Sequence, residues 1–241
     1  MKRKKRQHNK ATYLKRWFWL AILFIFYGLF LYQLWIFSHV LYWIRHNPQS
    51  SAFMQSQIDS LRENNPNATL QQTWVPYSQI SEEMKRAIIV AEDSKFTQHN
   101  GFDYDSLQNA FIKNIRQRQL TTGGSTISQQ LAKNLFLSAD KTIGRKLQEA
   151  VITVMMENVM TKRRILEIYL NMVEWGNGIF GVEAAAQHYF GLPASLLTKK
   201  QATYLAAMVT NPRYYDENRD SQHLLKKKEI FLGRLHSVKI P

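Results

Sequence analysis

Residues 17–44, WFWLAILFIFYGLFLYQLWIFSHVLYWI, contain no Asp, Glu, Lys or Arg. About 20 consecutive apolar residues suffice to cross a bilayer as a helix, so this run is long enough to span one with tilt. It is too long for a secretory h-region, and no small-residue cleavage site follows it. Trp17, Trp19, Tyr42 and Trp43 stand at its ends, where interfacial aromatic side chains are expected. The next stretch, 45–73, carries Pro48 and Pro66 among Asn, Gln and Ser, and reads as a stem with one short helix at 52–63. From Ser81 onward the apolar positions recur at helical spacing. Met84, Ala87, Ile88 and Ala91 give one face of a helix over 81–93, and further helices are predicted over 104–115, 162–173, 182–190 and 199–209. Alternating runs of β type are scarce. The pattern predicts a mainly α domain behind a single membrane-spanning helix.

The densest chemistry lies between Gly123 and Glu149, GGSTISQQLAKNLFLSADKTIGRKLQE. Gly123-Gly124 breaks the chain, and Ser125 or Thr126 can cap a helix running to about Leu137. Helical spacing then places Gln129 and Lys133 on one face, with Gln130 and Asn134 beside them. A second helix starts near Thr142 and puts Arg145 and Glu149 one turn apart, with Lys146 adjacent. Ile143, Leu147, Ala150, Val151 and Val154 are expected to form its core face. Hydroxyls, amides and cations crowded at helix starts suit an anionic, oxygen-rich ligand such as a diphosphate. Any one of these residues taken alone reads sooner as a plain cap or a surface salt bridge, and it is the combination that favours a site.

Glu92 and Asp93 end the helix over 81–93, at the terminus where the helix dipole disfavours negative charge. Glu92 also follows the apolar run 87–91, which makes it a candidate for partial burial and an upward-shifted pKa, the condition for a general base near neutral pH. A carboxylate that merely accepts a hydrogen bond from the turn fits the same position, and periodicity does not decide between the two. His99, without HExxH-type spacing, reads as a loop hydrogen-bonding residue rather than a metal ligand.

Charge and composition narrow the function classes. The chain has 241 residues and a formal net charge of +14, but eight of its 32 Lys and Arg fall within residues 1–16 beside no acid. A basic cluster abutting an apolar span is a topology signal: it keeps the N-terminus in the cytoplasm and sends the rest across the membrane. Nucleic acid is therefore not an expected partner. The absence of cysteine excludes disulfides and thiolate metal sites.

The segments AEDSKFTQHNGFD (91–103), GGSTISQQLAKNLFL (123–137), RKLQE (145–149) and RRILEIYLNMVEWGNGIFGVEAAAQHYFG (163–191) occur in this order. Together they resemble the signature blocks of the family 51 glycosyltransferases, the peptidoglycan transglycosylases, over roughly residues 74–212. The chain stops about 30 residues after Asn211-Pro212, which resembles the monofunctional biosynthetic members rather than the bifunctional penicillin-binding proteins. The resemblance implies a lysozyme-like all-α domain over 74–241, behind a basic tip (1–16), an anchor (17–44) and a stem (45–73). It implies an inverting glycosyltransferase on the outer face of the cytoplasmic membrane, which joins lipid II into β-1,4-linked glycan with release of undecaprenyl diphosphate. Glu92 matches the family's general base, with Asp93 as its supporting partner. Glu149 matches the glutamate assigned to organising the diphosphate. Lys133, Arg145 and Lys146 match the diphosphate-contacting cations, and Ser125, Gln129, Gln130 and Asn134 the polar lining.

No tightly bound cofactor is implied beyond a divalent cation, Mg²⁺ or Mn²⁺, that accompanies the diphosphate near Glu149. Expected partners are lipid II, the growing glycan strand, the membrane and other cell-wall synthesis and division proteins. Tyr169, Asn171, Gly176, Gly178, Gly181, Tyr189 and Gly191 read as packing and turn residues, and Glu174 as either a cleft or a solvated carboxylate. The segment 102–122 matches the family's membrane-dipping region, while its Phe111, Ile112, Ile115 and Leu120 suit a core-facing helix equally well. Ser128 stands where threonine is common and Leu192 where lysine often follows the YFG triplet. Two other classes compete: a membrane-anchored lytic transglycosylase or lysozyme, and an inactive cell-wall scaffold. A glycan-cleaving enzyme has no reason to gather cations, and a scaffold no reason to retain both Glu92 and Glu149.

Overall fold

The computed structural model describes the backbone of residues 2–117, 124–138 and 142–241. It divides into two units, 1–42 and 43–241. The first is one helix, α1 (Lys2–Tyr42), in which Lys15–Tyr42 is long and apolar enough to cross a membrane. At 1.5 Å per residue its 28 residues measure about 42 Å, against a hydrocarbon core of about 30 Å. Large apolar side chains along it, Phe24 and Phe26 among them, are exposed.

The second unit is built from α2 (Ala52–Asn64), α3 (Glu82–Glu92), α4 (Tyr104–Gln117), α5 (Ile127–Phe136), α6 (Ile143–Val159), α7 (Lys162–Met172), α8 (Val182–Phe190), α9 (Lys199–Met208), α10 (Pro212–Glu217) and α11 (Gln222–Arg234). A small sheet of β1 (Gln71–Gln72), β2 (Glu174–Gly176) and β3 (Ile179–Phe180) has the order β1-β3-β2, with β1 parallel and β2 antiparallel to β3. Residues 45–73 therefore contribute α2 and β1 to this unit; α2 packs on α5, and its Met54, Gln57 and Ile58 are buried. Trp43, read as an interfacial aromatic, belongs here too: it is nearly buried and lies 5.1 Å from the Phe136 ring. The core centres on Trp175, Tyr169, Phe96, Phe180, Ile127 and Leu131, with α5 against α6 and α7 and α3 against α9 and α11.

Two helix assignments show how the sequence works locally. Thr126, rather than Ser125, caps α5: its Oγ1 accepts from Gln129 N at 3.2 Å, and Gln129 Oε1 accepts from Thr126 N at 3.1 Å, a reciprocal capping box. Thr142 caps α6 by accepting from Arg145 N at 3.2 Å. The face that α6 buries differs from expectation. Ile143, Leu147, Val151 and Val154 are exposed, while Glu149, Ile152, Thr153 and Met156 are buried. The helix is apolar on two sides, and periodicity cannot rank them. A carboxylate can take the buried side because two cations on the same helix accompany it, as described below.

Glu174 is not a solvated carboxylate, and it lines neither of the two cavities described below. It is 4% exposed on β2, and both its oxygens accept from Arg213 Nε, at 3.0 and 3.3 Å.

Candidate active site

The C-terminus of α3, the N-terminal halves of α5 and α6, and the middle of α7 converge. Glu92 is the last residue of α3. Its Oε2 accepts from Gln130 Nε2 at 2.7 Å, and its Oε1 is buried and accepts no hydrogen bond from the protein. Burial is the main influence on this carboxyl and pushes its pKa above the usual carboxylate range. The Gln130 hydrogen bond and the Lys227 and Lys133 charges pull it back, and Asp93 pushes it further up. The turn-acceptor reading does not describe this carboxyl: among the described residues its one protein partner is Gln130 on α5, and its second oxygen has no partner.

Asp93, beside it, has both oxygens engaged. Oδ1 lies 2.9 Å from His99 Nε2, and Oδ2 accepts from Ile127 N at 3.1 Å. It sits at the start of α5, where a helix favours negative charge, and so ties the end of α3, the following loop and α5 together. His99 is accordingly a loop hydrogen-bonding residue.

The cationic side is centred on Glu149, which is 2% exposed. Arg145 Nη1 donates to its Oε2 at 3.0 Å, and Lys146 Nζ donates to its Oε1. Lys146 also donates to Ser125 Oγ at 3.2 Å, joining α6 to the residue before the α5 cap. Lys133 projects from the same region. Burial lowers its ammonium pKa, and the Arg145 and Lys146 charges push the same way against Glu149 and Glu92. Three cations thus accompany one buried acid, an excess of positive charge that an anion would complete.

Glu92, Gln129, Gln130, Lys133, Glu149 and Ser125 line one cavity of about 320 Å³, together with Ala91 and Thr210. A second cavity of about 170 Å³ is lined by Glu92, Asp93, Ser94, Asp103, Ser106, Ser125 and Thr126 and their neighbours. Glu92 and Ser125 face both. Asn134 is buried on α5 and lines neither. Three residues near the site were not picked out from the sequence. Tyr169, read as packing, donates its hydroxyl to Gln130 Oε1 at 3.0 Å. Thr210 lines the larger cavity, and Lys227 Nζ donates to Thr210 Oγ1 at 2.8 Å. Thr210 and Lys227 come from the C-terminal part of the chain, so only the packing of α11 on α9 and α3 could reveal them.

A mainly α domain that sets a carboxylate with one unpartnered oxygen beside a cluster of three cations is the arrangement of a group-transferring enzyme. The Transglycosylase family model matches residues 58–236, and the chain belongs to that family. Among curated proteins, a biosynthetic peptidoglycan transglycosylase of Nitrosospira multiformis is 59% identical over 95% of this chain and all of its own length. One of Methylobacillus flagellatus is 53% identical over 95% of this chain and all of its own length. Another, of Nitrosomonas europaea, is 52% identical over 97% of this chain and 96% of its own length.

Proposed function

We propose that this chain polymerises lipid II into β-1,4-linked glycan, with Glu92 as the general base and Lys133, Arg145 and Lys146 holding the diphosphate of the donor. One observation carries the reading: a buried, unpartnered Glu92 Oε1 shares a cavity with Lys133 and Glu149. Glu92 Oε1 takes the proton of the acceptor 4-hydroxyl. The acceptor oxygen attacks the anomeric carbon from the face opposite the diphosphate, inverting it. The bond from that carbon to the diphosphate oxygen breaks, and its electron pair leaves on the diphosphate. The cations stabilise the charge that grows there, and Glu149 keeps Arg145 and Lys146 in register. Diphosphate is a good leaving group, so no second carboxylic acid is required. A glycan-cleaving enzyme does require one to protonate its leaving oxygen, and Glu149, held by two cations, is unsuited to that role.

A protein-held divalent cation does not fit the donor set. Both Glu149 oxygens are taken by Arg145 and Lys146, and among the described residues no three His, Asp or Glu gather as ligands. For location, the 28-residue apolar helix behind a basic tip supports a single-pass anchor with the larger unit on the outer side of the cytoplasmic membrane.

The test is incubation of the detergent-solubilised full chain with labelled lipid II, beside Glu92→Gln. Wild type is expected to yield a muramidase-sensitive ladder and the variant at least about 10²-fold less, the lower end for loss of a general base. A ladder undiminished by the substitution would remove Glu92 from its role. Cleavage of preformed glycan without polymerisation would overturn the synthetic reading.

A further inference from the structure

Tyr169 sits in the middle of α7, fully buried, with its hydroxyl 3.0 Å from Gln130 Oε1. Gln130 in turn donates from Nε2 to Glu92 Oε2 at 2.7 Å. A side-chain amide has one accepting and one donating end, and which end meets Glu92 matters. With Nε2 inward, the amide stabilises the carboxylate. With Oε1 inward, it repels the carboxylate and pairs only with the protonated acid. A phenol that donates to Oε1 holds the first arrangement.

We propose that Tyr169 is a positioning residue for the reaction: its hydroxyl fixes the Gln130 amide so that Nε2 faces Glu92 and the base stays ionised. The proposal rests on Glu92 being the base. Tyr169 touches neither cavity, so its action runs through Gln130 alone. Its own proton is secure. Burial raises the phenol pKa well above its ordinary value, and the Glu92 and Asp93 charges add to that, so Tyr169 remains a donor throughout the working range. The other charges facing Glu92 are Asp93 from the following loop, Lys133 from α5 and Lys227 from α11, and all three persist when Tyr169 is altered. Removing only the phenolic oxygen therefore isolates the amide's orientation.

The experiment is the pH dependence of kcat/KM for lipid II polymerisation by the full-length protein, comparing wild type, Tyr169→Phe, Gln130→Leu and the double variant. Tyr169→Phe is expected to move the acid limb upward by about 0.5–1 pH unit, the size that the net free energy of one neutral hydrogen bond corresponds to, with the plateau at higher pH largely kept. Activity on the acid limb then falls about 3- to 10-fold. Gln130→Leu moves the limb the same way, and the double variant moves it no further, because both substitutions interrupt one chain. Site-specific 3-fluorotyrosine at position 169, a stronger donor of nearly the same size, moves the limb downward and covers the case in which Tyr169→Phe folds poorly. An acid limb that stays in place in both position-169 variants overturns the proposal, whatever happens to kcat, since a packing role changes amount or stability and leaves the limb alone. Polymerisation undiminished in Glu92→Gln would instead sink the base assignment beneath it.

Discussion

At the scale of the residue, Glu92 shows how a fold spends stability on chemistry. Burial raises its pKa, so its native state binds a proton more tightly than the unfolded chain does. The sign follows. Above its folded pKa the buried charge destabilises the protein in full. The cost fades as pH falls through that value and is gone below the ordinary carboxylate pKa of about 4.3. Glu92→Gln is therefore expected to melt higher than wild type at pH 8, by about 2–4 °C for roughly 1 kcal/mol in a domain of this size. The gap should close as the scan is repeated toward pH 5. A gap constant with pH would mean that the carboxyl carries no unusual cost. Glu149 makes the contrasting case: it is more deeply buried, at 2% exposed, and is held by two cations.

At the scale of the element, α5 is the site's ruler. Its first turn is fixed by the Thr126–Gln129 capping box, by Thr126 Oγ1 donating to Gly101 O at 2.7 Å, and by Asp93 accepting from Ile127 N. Gln130 and Lys133 follow within the next two turns, so an error at the cap propagates directly to both. Thr126→Val removes the cap and the bond to Gly101 while keeping the shape. It is expected to cost about 1–2 kcal/mol in denaturant midpoint analysis and to lower polymerisation by more than its folded fraction explains. Gln129, expected as polar lining from its position beside Lys133, does line the cavity, but its carbonyl is committed to the cap. On α6 the apolar periodicity identified the helix and not its inward side, because Ile152 and Met156 on one face and Ile143, Leu147, Val151 and Val154 on the other satisfy the same spacing.

At the scale of the whole molecule, the chain joins a helix that has no core of its own to a unit that has one. The larger unit closes on itself through α2, α3, α5, α7, α9 and α11. Deleting residues 2–42 is therefore expected to leave its far-ultraviolet dichroism and cooperative melting in place while abolishing co-sedimentation with phospholipid vesicles, which the full chain retains. Vesicle binding undiminished by the deletion would place the membrane attachment in the larger unit instead. There, the exposed apolar side chains of α6 would be the first place to look.

Much of this was legible in the chain because it depends on neighbours in sequence. An uncharged run of membrane length, hydroxyl caps ahead of apolar periodicity, and Arg145, Lys146 and Glu149 one turn apart are local facts, and the helices and the cationic cluster followed from them. Tertiary structure alone decided the rest. That Glu92 meets Gln130 of α5 and keeps one oxygen unpartnered depends on how α3 and α5 pack. Tyr169, Thr210 and Lys227 join the site only where α7, α9 and α11 pack against α3 and α5. Glu174 finds Arg213 39 residues away, and that pairing offsets the cost of its burial. Sequence spacing sets which side chains share a face of a helix. It carries no information on which face another helix will cover, and the ionisation of a buried carboxyl is settled by that covering.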